Sequence, residues 1–379
     1  MVDGAGKSQQ IPDHGHTRRL HAIESAWVDI IHIDINYVSM HGKSGMRAID
    51  NLRSLRRWAR SRHSIPVFEG RKSRGHQDRF VWELTTQALR HGLSRQRDLR
   101  KIETFVQFAG FPRSGHSLIG SIIDAHPQAR VSHELDAMGL LAKGMPQLAI
   151  FALIDRMASE FTRHGRYWNG YCYLVPDAHH ETAAPLRVIG DKKGDAAVRW
   201  IAKNPALMDR LQADRGPVSK WILVLRNPFD NIATMSLRHG RAYDALKTDT
   251  ENPADFPGAL RDKQREGIIA SEALDSQIDE YVRLCRTVND MRHKTAADDW
   301  LDLSLEELTA DPSPQIARLI KFLDLPPVPG YIDQCASMVN PRANQTRDLI
   351  EWPQAKKDRV HAICREFSFL QRYEADHVG

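Results

Sequence analysis

Cysteine is scarce in this chain. The four present, Cys172, Cys285, Cys335 and Cys364, are scattered with no Cys-x-x-Cys pair, which argues against a disulfide framework and a zinc knuckle. No apolar run approaches the roughly 18 residues that a membrane-spanning helix needs. The first twenty residues, broken by Asp3, Lys7, Asp13, Arg18 and Arg19, lack the apolar centre of a signal peptide. Internal repeats and low-complexity tracts are also missing. Charge of one sign is not in large excess: 53 Lys and Arg against 48 Asp and Glu leave +5, enough to favour an anionic ligand without demanding a nucleic-acid partner. With 41% hydrophobic and 27% charged residues, the composition is that of an ordinary globular enzyme, and a cytoplasmic location is expected.

The richest stretch runs from Thr104 to Ser117, where the apolar strand Thr104-Phe105-Val106-Gln107-Phe108 enters the loop Gly110-Phe111-Pro112-Arg113-Ser114-Gly115 and then a helix. Gly110, Gly115 and Ser117 have the spacing of a nucleotide-binding P-loop, but His116 stands where the phosphate-reaching lysine belongs. Arg113 is the cation that remains. Backbone N–H groups and a helix N-terminus still favour an anion there.

A second strand, 219–225, also ends in a cation, Arg226, followed by Asn227-Pro228. Pro228 suits the first turn of a helix, where its missing N–H goes unnoticed. On the helix that follows, Asp230, Thr234 and Arg238 share a face, so a hydroxyl and a guanidinium can join Arg226 on one anion. Two anion sites at two strand ends suit a nucleotide phosphorylated at both ends of its ribose.

Alternating strands (104–108, 129–132, 186–190, 219–225, 300–303) and helices (about 116–125, 147–164, 196–211, 228–238, 261–293, 312–323 and 353–368) predict an α/β fold: a parallel sheet flanked by helices, with function at the carboxyl ends of the strands. Residues 101–379 read as the catalytic domain and 1–20 as a disordered tail. Residues 21–100 read as an extension, with a half-buried strand at Ile31, Ile33, Ile35 and Tyr37 and a further helix at 80–90. Within it, 44–66 places Met46, Ile49, Leu52, Leu55 and Ala59 at helical spacing among six arginines. This cationic amphipathic helix fits either peripheral contact with an anionic membrane or a surface helix with solvated arginines.

These motifs resemble those of the sulfotransferases that use 3′-phosphoadenosine 5′-phosphosulfate (PAPS), and most closely the branch containing the protein-tyrosine sulfotransferases. The resemblance covers roughly residues 104–370 and includes the Asp124-Ala125-His126-Pro127 turn and His133-Glu134. It implies a P-loop-like sulfotransferase fold in which Pro112, Arg113, Ser114, Gly115, His116 and Ser117 grip the 5′-phosphosulfate. Arg226 and Thr234, with Arg238 beside them, hold the 3′-phosphate; Ser236 is the competing hydroxyl. Glu134 matches the catalytic glutamate of the tyrosine-sulfating enzymes, with His133 as alternative base and His126 shaping the turn. Lys192, or its neighbour Lys193, matches a lysine that reaches the transferring group. Arg342 and Arg347 lie where the family folds a late basic loop over the cofactor.

The implied reaction is transfer of a sulfuryl group from PAPS to a hydroxyl, less readily an amine, leaving adenosine 3′,5′-bisphosphate, with no metal. His116 departs from the Thr or Ser usual in the family. Residues 139–185 and 238–275 read as acceptor-binding and lid segments, and the acceptor (small molecule, glycan, lipid or peptide) stays open. The alternatives are a P-loop kinase, which the missing lysine disfavours, and a non-catalytic binding protein for nucleotides or membranes.

Overall fold

The computed structural model describes residues 92 and 95–376, apart from 143–144, 146, 169–170, 177, 179–184, 214–215, 240–261, 263–271 and 342. These belong to one compact unit within Arg62–Gly379. The expected tail, the strand at 31–37 and the helices at 44–66 and 80–90 lie outside the described residues.

In chain order, the single turn α1 (Gln96–Leu99) leads into β1 (Thr104–Gly110), α2 (His116–Asp124), β2 (Ala129–Ser132), α3 (Ala137–Ala142) and α4 (Gln147–Arg163). A two-stranded hairpin, β3 (Tyr167–Trp168) and β4 (Tyr171–Cys172), precedes β5 (Val188–Asp191), α5 (Gly194–Lys203), α6 (Ala206–Ala213), β6 (Val218–Leu225) and α7 (Pro228–His239). Then come α8 (Asp275–Lys294), β7 (Trp300–Ser304), α9 (Leu305–Ala310), α10 (Pro312–Phe322), α11 (Tyr331–Ser337) and α12 (Gln354–Glu366). No helix among the described residues is long and apolar enough to cross a membrane.

The main sheet has the order β2-β5-β1-β6-β7 and is parallel throughout. Every residue of β1 is buried, as a central parallel strand covered on both faces requires. On one face Val106, Phe108, Ile222, Val224, Leu301 and Leu303 pack with Ile119, Ile122 and Ile123 of α2 and Ile316, Leu319 and Ile320 of α10. On the other, Phe105 meets Phe151 of α4 edge-on at 5.1 Å between ring centres.

From β1 the chain goes to β2 on one side and later returns to fill β5 between them, whereas β6 pairs with β1 on its opposite edge. The crevice beyond the end of β1 is therefore a topological switch point, where open α/β sheets bind ligands. The Asp-Ala-His-Pro turn lies at the opposite, amino-terminal edge of the sheet, where α2 hands over to β2. Asp124 accepts the Val131 amide at 2.7 Å and pairs with the buried Arg166 guanidinium at 2.5 Å. His126 accepts from the Gln128 amide at 3.1 Å through Nδ1 and meets the Pro326 oxygen at 2.9 Å through Nε2. It shapes the turn, and burial holds it neutral by lowering its pKa.

Candidate active site

A cavity of about 400 Å³ opens at the carboxyl ends of β1, β5 and β6, within the range of about 300–1,000 Å³ usual for small-molecule sites. Pro112, Arg113, Gly115, His116 and Ser117 line it from the loop, Glu134 and Lys192 from the ends of β2 and β5, and Arg226 and Thr234 from β6 and α7. The two anion corners inferred from the sequence thus border one space.

The loop is a left-handed cradle. Gly110 has φ 129° and Gly115, which caps α2, has φ 100°, values that only glycine adopts without strain. Arg113 between them is also left-handed, at φ 69°. Three braces hold it from behind. Asn231 of α7 donates to the Pro112 oxygen at 2.7 Å and the Ser114 hydroxyl at 3.2 Å. Ser114, wholly buried, donates to the Phe111 oxygen at 2.9 Å. Arg226 donates to the Arg113 oxygen at 3.0 Å. Ser114 is therefore a brace, and its hydroxyl does not line the cavity.

His116 lines the cavity, but Nε2 sits 3.2 Å from the Ala109 oxygen and the ring packs edge-on against Phe108 at 5.7 Å. Burial pushes its pKa down to about 4, so the imidazole is neutral near pH 7 and serves the loop as a wedge against β1.

At the other corner Arg226, 5% exposed, spreads its guanidinium among the Arg113 oxygen, Thr234 at 3.4 Å, the Asn344 oxygen at 2.5 Å and the Thr346 hydroxyl at 2.9 Å. Its Nε is buried with no hydrogen-bond partner among the described residues. An unmatched donor of this kind is expensive unless a ligand completes it. Asn227 starts α7 as the sequence suggests: its Oδ1 accepts the Phe229 amide at 2.9 Å, and Pro228 follows. Arg238 is not among the residues lining the cavity, and Ser236 instead accepts the Leu274 amide at 3.1 Å. Arg347 pairs with Asp230, its amide at 2.8 Å and its guanidinium at 3.3 Å, and Arg342 lies outside the described residues. The residues of that late segment that reach Arg226 are Asn344 and Thr346. As main-chain and hydroxyl contacts, they carry no charge signature in the sequence.

Between the corners, Lys192 Nζ donates to Glu134 at 2.7 Å and to Ser117 at 2.7 Å. Burial, with the Arg113 charge nearby, lowers the lysine's pKa, and Glu134 pulls the other way. Burial alone would raise Glu134, but Lys192, helped by Lys193, outweighs it and keeps the carboxyl below its ordinary value. Lys193 also lines the cavity. His133 does not: it is buried between Phe161 and Trp168, with ring centres 4.2 and 4.8 Å away, and burial holds its pKa well below normal. Tyr171, Cys172 and Tyr173 form another wall, and the Tyr171 hydroxyl accepts from the Asn344 amide group at 2.9 Å.

Fold and site together define an α/β protein with a left-handed glycine loop at the head of α2 and a cationic corner beside it. The sequence profile of the Sulfotransferase family matches residues 106–329, more than half of the chain, and the protein belongs to that family. The chemistry is therefore sulfuryl transfer, which sets the kinase reading aside. Similar solved structures include a sulfotransferase from Mycobacterium avium, at 12% identity over 83% of this chain and 96% of that one, with TM-score 0.41. A sulfotransferase from Mycobacterium tuberculosis shows 12% identity over 87% and 98%, with TM-score 0.38. A mouse sulfotransferase complexed with PAP shows 10% identity over 77% and 96%, with TM-score 0.35. No curated protein matches the chain at the sequence level.

Proposed function

We propose that the protein moves a sulfuryl group from PAPS to an acceptor hydroxyl, with Glu134 as general base. The observation that carries this reading is the single cavity bounded by the Arg113 loop at one end and by Arg226 and Thr234 at the other. The donor set fits a nucleotide phosphorylated at both ends: a left-handed glycine loop with a helix N-terminus for one anion, and a buried guanidinium with an unsatisfied Nε for the other.

When bound, PAPS supplies an activated sulfuryl group whose departure leaves adenosine 3′,5′-bisphosphate. The chain's own residues position and neutralise, as phosphoryl-transfer sites do. Arg113 and the first amides of α2 face the 5′ end, with Arg226 and Thr234 at the 3′ end. Lys192 stands between Ser117 and Glu134, where it can compensate negative charge developing in the transition state. Glu134 takes the acceptor proton. Paired with Lys192 it is charged but weakly basic; when Lys192 leans toward the transferring group, burial makes the carboxylate a stronger base. Tyr171 and Tyr173 form the side of the cavity assigned to the acceptor.

Calorimetry with adenosine 3′,5′-bisphosphate and with ATP–Mg²⁺ tests the nucleotide assignment. Tight binding of the first and weak binding of the second is expected, and the reverse order refutes it. A screen of phenols, sugars and amines with labelled PAPS identifies the acceptor. Glu134→Gln should stop turnover with little loss of nucleotide affinity, and an unchanged rate removes it from the chemistry.

A further inference from the structure

Glu134 is held by two consecutive residues at the end of β5. Lys192 fixes its carboxylate. Asp191, the residue before, holds the turn that carries it: Oδ1 accepts the Ser132 hydroxyl at 2.9 Å and the Leu135 amide at 3.0 Å, and Oδ2 accepts the Ala137 amide at 2.8 Å. Inside this embrace, Glu134 at φ 64° and Asp136 at φ 66° are both left-handed. Non-glycine residues seldom adopt that conformation, and two within three positions persist only where the surroundings over-determine them.

Asp191 is 2% exposed. Its burial pushes the carboxyl up to about 6, with Asp136 acting in the same direction and the Ala137, Ser132 and Leu135 donors opposing it. A charge kept in such a place needs a reason. Three donors converge on it, one O–H and two N–H, and a carboxylate meets them with acceptors alone. An amide of the same shape would turn an NH₂ group toward one of those donors.

We propose that Asp191 is a positioning residue for sulfuryl transfer, its carboxylate clamping the 132–137 turn so that Glu134 meets Lys192 and the cavity in one orientation. The proposal rests on the reading of Glu134 as the base. One strand end then supplies both the place of the base, through Asp191, and its charge state, through Lys192.

The charged groups facing Asp191 are Asp136 on the turn and Lys192 beside it, while β2 and β1 contribute the non-titrating Ser132 and, in register, Gln107. Protonating Asp191 replaces one acceptor by a donor and loosens the turn, whereas Glu134 stays ionised beside Lys192.

The test uses the full chain as wild type, Asp191→Asn, Ser132→Ala and Glu134→Gln. Its readouts are amide hydrogen exchange at 133–137, calorimetric affinity for adenosine 3′,5′-bisphosphate, and transfer from PAPS to 4-nitrophenol as acceptor probe. In Asp191→Asn, exchange at 133–137 should rise by about tenfold or more, as a locally opened segment does. Its kcat should fall by about 10- to 100-fold, the effect of displacing a reacting group by about 1 Å. KM for PAPS and affinity for the bisphosphate should stay within about twofold, because uniform binding is untouched. The acid limb near pH 6 in the wild-type profile should vanish in this variant.

Ser132→Ala removes one donor and no charge; it should move exchange and kcat in the same direction by less, and it keeps the test open if Asp191→Asn does not fold. Unchanged exchange and kcat in Asp191→Asn, with Glu134→Gln inactive, would overturn the positioning role and leave the base in place. A fully active Glu134→Gln would instead remove the base, and the exchange data alone would then show whether Asp191 clamps the turn.

Discussion

Arg226 donates through Nη1 to the main-chain oxygen of Arg113 at 3.0 Å, joining residues 113 apart in sequence. The cation at the end of β6 thus props the glycine loop that follows β1, and the two corners of the site form one structure. Nucleotide affinity and loop geometry should fail together when this guanidinium is altered.

Arg226→Lys keeps the charge but loses the planar fork that reaches the Arg113 and Asn344 oxygens and the Thr346 hydroxyl at once. Losing charge-assisted hydrogen bonds of about 1.5–3 kcal/mol should weaken adenosine 3′,5′-bisphosphate by roughly 10- to 100-fold in calorimetry. A Kd within about twofold of wild type would take Arg226 out of the site.

Lys192 sets the ionisation of Glu134. Burial alone would raise this carboxyl, and the lysine reverses the direction. In Lys192→Met, Glu134 should therefore titrate above the ordinary carboxylate value, where in the wild type it titrates below it. Carbon-13 NMR of labelled glutamate reads this directly. Turnover should drop by about 10²–10³, the usual effect of removing one transition-state donor. A Glu134 titration that stays depressed without Lys192 would show that another group holds it.

His116 makes the fold acid-labile in a definite window. Its pKa falls from 6.5 when unfolded to about 4 when folded, so between these values the unfolded chain binds more protons. The stability is fully present above pH 6.5 and is lost as pH falls toward 4, by up to about 3–4 kcal/mol at about 1.4 kcal/mol per pKa unit. His126 and His133 shift in the same direction, and Asp191, raised to about 6, opposes them. Scanning calorimetry should show Tm falling from pH 7 to pH 5, with a shallower slope in His116→Gln. Parallel slopes would mean that the ring is not buried neutral.

Much of this architecture is legible in the sequence because buried parallel strands leave unbroken apolar runs, such as Trp221 to Leu225, that end in a conspicuous residue. All five expected strands of the main sheet are present, though β2 (Ala129–Ser132) and β7 (Trp300–Ser304) carry Arg130 and Asp302 and so show no unbroken run. The helix expected over 196–211 is two helices, α5 and α6, parted at Asn204-Pro205, a break that proline's effect on the preceding residue announces. The short helices α2's neighbour α3, α9 and α11 and the two-residue strands β3 and β4 span too few positions to show a period.

Side-chain direction is the harder part. Spacing puts His116 in the loop but cannot tell that its ring turns back to the Ala109 oxygen, nor that Ser114 faces inward. Asn231, one turn before Thr234 on the same face of α7, was within reach of helical periodicity. Asn344 and Thr346 were not, because they meet Arg226 only through the fold.

The start of α7 offers a test that separates the scaffold from the ligand. Asn227 uses all its polar groups: Oδ1 accepts the Phe229 amide at 2.9 Å, the main-chain N–H donates to Glu306 at 2.8 Å, and Nδ2 donates to Asp376. Asn227→Ala removes the cap, worth about 0.5–2 kcal/mol, and leaves Asp376 short of a donor. Asn227→Ser keeps a capping oxygen and should recover part of the loss. Asn227→Asp also keeps the cap, and its charge suits a helix N-terminus, but it sets a third carboxylate beside Glu306 and Asp376. Its Tm should therefore lie below that of the serine variant at pH 7 and close the gap as the pH is lowered. Since α7 carries Asn231 and Thr234, nucleotide affinity should fall in Asn227→Ala and recover with stability in Asn227→Ser. Affinity that ignores the cap in all three variants would mean that the loop and Arg226 alone fix the 3′ corner.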